Sequence, residues 1–122
     1  MSLLKRRRKE LETLKIIECD SDYRYQGGRF VTLSPCSGEA FRETYLIPFL
    51  EKNKNNPELC VDFSGTVVYT PSFLEECFGG AIRKGYKEVR KIRFINIPKE
   101  EEKRLIDFIK KAYDFNPSLF GM

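Results

Sequence analysis

The hydrophobic pattern is most regular over residues 59–85, where it predicts a buried strand, a turn and an amphipathic helix. Residues 59–63 form a short run of apolar, strand-forming side chains that only Asp62 interrupts. A Ser-Gly pair ends that run, residues 67–69 form a second short β-prone piece, and a helix is predicted to open at Ser72. Its apolar side chains repeat at helical spacing and form one stripe: Phe73, Leu74, Cys77, Phe78, Ala81 and Ile82.

Both ends of this helix carry sequence signals. Ser72 and Glu75 have the spacing of a capping box, in which the serine oxygen accepts from the helix and the glutamate bonds back to the serine amide. Gly79 and Gly80 lie inside the helix, where each costs about 1 kcal/mol relative to alanine. We therefore expect them to allow a close approach between the helix backbone and the sheet. Gly85 is a typical residue for the helix end.

Strand and helix patterns alternate on either side of this unit. Residues 14–19 and 29–33 are predicted to be strands, and the Gly-Gly turn before the second suggests a hairpin or meander. Residues 91–96 form a further strand, and Pro98 suits the first position of the helix that follows. The order β-β-α-β-α-β-α predicts an α/β fold, with helices packed on a mixed sheet of about four to five strands.

One further helix is predicted over residues 38–52, with Ser37 as its N-cap. Pro48 lies inside this pattern and cannot donate to the carbonyl four residues earlier. The helix is therefore expected either to kink there or to end near Ile47.

The chain has 122 residues, a length typical of one domain. We expect a basic arm over residues 1–14, a single domain over 15–115 and a loose tail over 116–122. Neither a membrane span nor an apolar signal-peptide core is predicted, which favours the cytoplasm.

The net charge of +4 is concentrated in the arm. Its basic residues are Lys5, Arg6, Arg7, Arg8 and Lys9. Such a run can contact nucleic acid or an acidic partner. It can equally be a solvated arm or a dimer contact, because no aromatic side chain for base stacking is interleaved with the charges.

The residue types disfavour an enzyme. The chain has no histidine, so triads that need an imidazole base are excluded. Its four cysteines form no C-x-x-C pair, so no metal or cofactor is predicted, and free thiols are expected. Asp62 could be a site carboxylate, but bonding to the following turn is the preferred interpretation.

Three stretches resemble a known family. Residues 38–43 (GEAFRE), 61–65 (VDFSG) and 70–80 (TPSFLEECFGG) are similar to the STAS-like domain family labelled as a domain of unknown function, DUF4325. Through it the chain resembles STAS domains, the anti-sigma-factor antagonists. The resemblance implies a small α/β sheet that binds a partner protein, often a histidine-kinase-like ATPase.

The resemblance also implies a site. In STAS domains a D-S-S-G motif carries a serine whose phosphorylation breaks the complex, and Ser72 takes its place here. Pro71 replaces the first serine of the motif and Phe73 replaces its glycine. Besides the phosphoacceptor Ser72, which could instead simply cap the helix, we select partner-binding candidates around it: Thr70, Pro71, Phe73, Glu76 and Arg42. Arg42 could alternatively lie on a solvated helix face.

The resulting prediction is a non-enzymatic regulatory module that docks a partner protein through the loop and helix at Ser72. Phosphorylation of that serine would regulate docking. The alternative is a nucleic-acid-associated protein that uses residues 5–9.

Overall fold

Three parallel strands form the sheet. The structure is a computed structural model that describes residues 11–120, with the side chains of residues 12–114. Its strands are Leu11–Lys15 (β1), Glu58–Asp62 (β2) and Ile92–Ile95 (β3), and β2 lies in the centre. Because all three run in the same direction, every strand begins at one edge of the sheet and ends at the other.

Four helices accompany the strands in the described residues. A short helix, α1, covers Ile16–Cys19, and the C-terminal helix α4 covers Lys99–Phe120. Helix α2 spans residues 38–52 and helix α3 spans residues 71–83, each with a π-helical turn in its middle. The π turns are Arg42–Leu46 in α2 and Glu75–Gly79 in α3. Two 3-10 helices, Ser21–Arg24 and Lys87–Lys91, lie in the connections.

The core lies on one face of the sheet. Leu59 and Val61 of β2 pair with Ile92 and Phe94 of β3, and all four side chains are buried. They belong to one apolar cluster with the inner faces of α2, α3 and α4. Arg93 points to the opposite face and is exposed. The predicted helix-on-sheet packing is therefore confirmed. None of the described helices combines the length and apolar character that crossing a bilayer requires.

The first strand is displaced from its predicted position. It ends at Lys15, which pairs with Asp62, the last residue of β2. Beyond that point β2 offers no partner, so Ile16–Cys19 closes into a helical turn. The predicted arm, residues 1–14, thus includes the start of β1, while residues 1–10 lie outside the described part. Helix α4 continues through residue 115, the predicted end of the domain.

The predicted hairpin is wrong. Residues 29–33 form a turn, because their backbone groups bond within the loop and to the start of α2. The Glu39 amide donates to the Arg29 carbonyl at 3.0 Å, and the Leu33 amide donates to the Phe30 carbonyl at 2.9 Å. Residues 67–69 contribute a single bridge, between Val68 and Tyr25. Four to five strands are therefore not observed in the described chain.

Helix α2 passes through Pro48 and continues to Lys52. Its π turn ends at Leu46, two residues before the proline, and the Ile47 amide bonds to the Arg42 carbonyl five residues back. A π turn widens the helix where the proline ring would otherwise meet a carbonyl. The predicted N-cap is confirmed, since Ser37 Oγ accepts from the Ala40 amide at 3.0 Å.

Candidate protein-interaction site

Helix α3 begins at Pro71 with Thr70 at the N-cap position, two residues before the N-cap that the capping box predicts. The capping-box prediction is wrong. Ser72 is the second helical residue, and the Glu75 carboxylate bonds to Arg29 and Arg83 instead of reaching back to Ser72. Pro71 accounts for this start, because its fixed φ suits the first helical position and its missing amide is not needed there.

Gln26 holds the start of α3 against the loop that follows α1. Its side-chain oxygen accepts from the Thr70 amide at 3.3 Å, and its carbonyl accepts from the Thr70 hydroxyl at 3.0 Å. The Gln26 amide donates to the Val68 carbonyl at 3.3 Å. Gln26 is buried, and its Nε2 has no partner in the described chain. Two segments far apart in sequence therefore share one surface at α3.

Large hydrophobic side chains are exposed at six positions of the described chain, and all six lie in these two segments. They form what we call the apolar rim: Tyr25, Phe30, Val31, Leu33, Val67 and Val68. Leu33 is 75% exposed and Val67 is 61% exposed. The segments follow β1 and β2, so the rim lies at the edge of the sheet where the strands end. Exposed apolar clusters on soluble domains often mark interaction surfaces.

A network of ion pairs fixes α3 to α2 and to the rim. Arg29, from the rim segment, bonds to Glu75 and lies 3.1 Å from Glu76. Arg42 of α2 is buried, and its Nη1 donates to the Glu76 carbonyl at 2.8 Å and to the Glu76 carboxylate at 2.6 Å. Arg83 donates to Glu75 at 2.5 Å. The network thus joins three segments that are distant in the sequence.

Electrostatics favour the ionised form of these groups. Burial opposes the charge on Glu75, but hydrogen bonds from Arg83 and Arg29 outweigh it and lower the pKa of the carboxyl group. Burial likewise opposes the charge on Arg42, and its bonds to Glu43 and Glu76 raise its pKa nonetheless. A buried arginine needs such partners, because an unpaired buried charge is strongly destabilising.

The structure separates the predicted site residues into two groups. Pro71 is exposed, while Thr70 and Ser72 are half-buried. No side-chain hydrogen bond of Ser72 occurs within the described chain. Phe73 is completely buried, and Arg42 is buried in its ion pair with Glu76. Phe73 and Arg42 therefore support the site from inside and do not present a contact surface.

Sequence reasoning missed the apolar rim and the role of Arg29. The available signal is the run of apolar residues at 30–33 beside glycines, a pattern that also predicts a strand. Long-range ion pairs give no such signal, because Arg29 and Glu75 are 46 residues apart. The basic run at residues 5–9 lies outside the described residues.

Two further candidates have structural explanations. Asp62 accepts from the Ser64 amide at 2.8 Å and from Asn96 Nδ2 at 2.9 Å, which confirms its turn-bonding role. Cys77 is buried, and burial raises its thiol pKa well above the ordinary value. All four cysteines are free thiols. Among the described residues, no group of histidine, cysteine or carboxylate side chains is arranged to hold a metal ion.

A comparison with known protein families identifies the family of this chain. A family model described as a STAS-like domain of unknown function (DUF4325) matches residues 37–102. The match covers more than half of the chain, so the chain belongs to this family. It spans α2, β2, α3 and β3, and the predicted resemblance is confirmed. No curated protein and no solved structure matches the chain significantly. A STAS-like domain indicates, in general terms, a regulatory role through protein interaction.

Proposed function

We propose that this STAS-like domain is a non-enzymatic regulatory module that docks a partner protein at the start of α3. The observation that carries the proposal is the apolar rim beside Thr70, Pro71 and Ser72. Its six side chains contribute exposed apolar area to a surface that the hydrogen bonds of the buried residues Gln26 and Arg42 hold in place. Apolar side chains that lose water on association supply the main driving force for protein docking.

The proposed regulation acts at Ser72. A phosphate on the second residue of a 13-residue helix lies among free backbone amides and the positive end of the helix dipole, so the modified domain tolerates it. The same phosphate places close to two negative charges beside an apolar docking surface. Phosphorylation is therefore proposed to weaken docking without unfolding the domain. The proposed partner class is a histidine-kinase-like ATPase.

The docking surface can be tested with a purified ATPase of this class from the same genome, by isothermal titration calorimetry. Val67→Asp and Leu33→Asp place a charge on exposed positions of the rim, so we expect each to weaken binding at least tenfold. Lys103→Asp, on the exposed side of α4, is the matched control and should bind like the unmodified chain. Equal affinity of all four proteins would contradict the proposed surface.

The switch needs a separate comparison. Ser72→Asp should weaken binding, whereas Ser72→Ala should preserve it, because only the first introduces charge. If the partner binds both variants with the affinity of the unmodified chain, phosphoregulation at Ser72 is refuted while the docking surface stands.

A further inference from the structure

The edge of the sheet opposite the apolar rim is densely basic. Between residues 83 and 93 the chain has six basic residues and one acidic residue, Glu88. This segment leads from the end of α3 into β3, and the loop before β2 lies beside it. We define the basic edge as the cationic residues of these segments: Lys52, Lys54, Lys84, Lys87, Arg90, Lys91 and Arg93.

Backbone contacts hold the basic edge in a fixed geometry. Lys91 Nζ donates to the carbonyls of Lys54 at 3.2 Å and Asn56 at 2.9 Å, which joins the 3-10 helix to the loop before β2. The Tyr113 hydroxyl of α4 donates to the Lys87 carbonyl and accepts from the Arg90 amide. The Arg90 guanidinium lies 4.6 Å from the centre of the Tyr113 ring. The side chains of Lys87 and Arg90 are therefore presented from a rigid frame.

The positive charge of this edge is poorly compensated. In the part of the chain that the structure describes, no carboxylate lies within 4.0 Å of Lys87 or Arg90. Three other cations of the edge have exposed carboxylate partners: Lys84 lies 3.3 Å from Glu43, Lys54 lies 3.8 Å from Glu51, and Arg93 lies 3.9 Å from Glu58. Such pairs contribute about 0–1 kcal/mol and yield readily to a stronger anion. The helix dipole favours a cation in the last turn of a helix, which explains the position of Lys52 at the end of α2. It does not explain Lys87 and Arg90, which lie outside α2 and α3.

The types of side chain exposed at the basic edge indicate which class of anionic partner it can bind. All exposed large hydrophobic side chains of the described chain lie in the apolar rim, so the basic edge offers charge without apolar area. A membrane-surface or protein interface needs apolar contacts, whereas the phosphate backbone of a nucleic acid needs mainly exposed lysine and arginine. The cationic run at residues 5–9 precedes Leu11, which begins β1 at this same edge.

We propose that the basic edge binds the phosphate backbone of nucleic acid, without base specificity, at a surface separate from the docking site. Lys87 and Arg90 are the central contacts. Arg90 is stacked on Tyr113 and is therefore already ordered for a phosphate. Because the two surfaces occupy opposite edges of the sheet, nucleic-acid binding and partner docking can be lost independently.

The test is fluorescence anisotropy of the full chain with a labelled DNA duplex and a single-stranded RNA, titrated with salt. Lys87→Gln combined with Arg90→Gln should reduce the slope of log affinity against log salt by about 1.8 for the duplex, because each phosphate contact contributes about 0.9. Affinity near 0.1 M salt should fall roughly tenfold or more. Arg90→Lys keeps the charge, so it should keep the salt slope of the unmodified chain even though the stack on Tyr113 is lost. Lys99→Gln combined with Lys103→Gln removes the same charge from α4 and should also preserve binding.

Four outcomes would overturn the proposal. The first is that the double variant keeps the affinity and salt slope of the unmodified chain. The second is that the α4 control loses as much affinity as the basic-edge variant. The third is that neutralising residues 5–9 abolishes binding while the basic-edge variant retains it, which would assign binding to the arm. Binding to phosphatidylserine vesicles with no binding to either nucleic acid would replace it with a membrane surface.

Discussion

Two adjacent glycines of α3 should respond in opposite directions to alanine. In a helix interior, alanine is favoured over glycine by about 1 kcal/mol. At Gly79 a methyl group would meet Glu75 Oε2 at 2.8 Å and Arg83 Nη1 at 3.3 Å. Both are the ends of flexible, partly exposed side chains that can move aside. Gly79→Ala should therefore leave the free energy of unfolding unchanged or raise it by up to about 1 kcal/mol.

At Gly80 the methyl group would overlap Arg42 Nη1. This guanidinium is only 6% exposed, and its Nη1 makes two hydrogen bonds to Glu76. Hydrogen bonds to charged groups contribute about 1.5–3 kcal/mol each, so displacing Arg42 outweighs the helix-propensity gain. We expect Gly80→Ala to lower the free energy of unfolding by about 2–5 kcal/mol.

Urea unfolding followed by far-UV circular dichroism measures both variants. The mechanism is isolated by repeating Gly80→Ala in an Arg42→Leu background, where the clash is absent and the alanine should become neutral or stabilising. The reasoning is refuted if Gly80→Ala is as stable as Gly79→Ala, or if its cost is the same with leucine at position 42.

Three further predictions concern protonation, thiol access and backbone geometry. The pKa values of Glu75 and Glu43 are lowered in the fold, so their stabilisation is present above about pH 4.5 and is lost as the pH falls through their folded pKa; Glu75→Gln should flatten the decline in unfolding free energy measured between neutral and acidic pH, and an unchanged profile would contradict this. Iodoacetamide near neutral pH should leave Cys77 unmodified until urea is added, because its side chain is completely buried and burial raises its thiol pKa; modification of Cys77 itself in the folded chain, located by peptide mass spectrometry, would contradict this protection. Asn96 has a positive φ of 58°, and its side chain donates to Asp62. Asn96→Ala should therefore lower the free energy of unfolding in urea by about 1–2 kcal/mol, and Asn96→Gly should lower it less, because glycine adopts a positive φ without strain. Equal losses for the two variants would exclude backbone strain as the cause.

Elements with local, periodic signals were predictable from the sequence. The apolar stripe of α3 and the run at 59–63 give a helix and a strand close to the observed ones. Ser37 caps α2 as expected. Gly85 has a positive φ of 101° directly after α3, which is the conformation that glycine supplies at a helix end. In each case the residues that determine the structure are neighbours in the chain.

Features that depend on distant partners were not predictable. β1 ends at Lys15 because its partner β2 ends at Asp62, and these two residues pair in the parallel register. They are 47 positions apart in the chain. The segment 29–33 has the composition of a strand, yet Arg29 is bonded to α3 and its backbone to the start of α2. The apolar side chains that would have faced a sheet are consequently exposed, and three of them, Phe30, Val31 and Leu33, make up half of the apolar rim.

The start of α3 determines how Ser72 can be tested. Because Thr70 is at the N-cap and Pro71 opens the helix, Ser72 caps nothing, and Ser72→Ala should lower the free energy of unfolding by less than about 0.5 kcal/mol. Ser37 is the matched control, since it is buried and caps α2, and Ser37→Ala should cost about 1 kcal/mol or more. A loss of partner binding by Ser72→Asp can then be attributed to charge at the docking surface. If Ser72→Ala is as destabilising as Ser37→Ala in urea, position 72 has a structural role and that attribution fails.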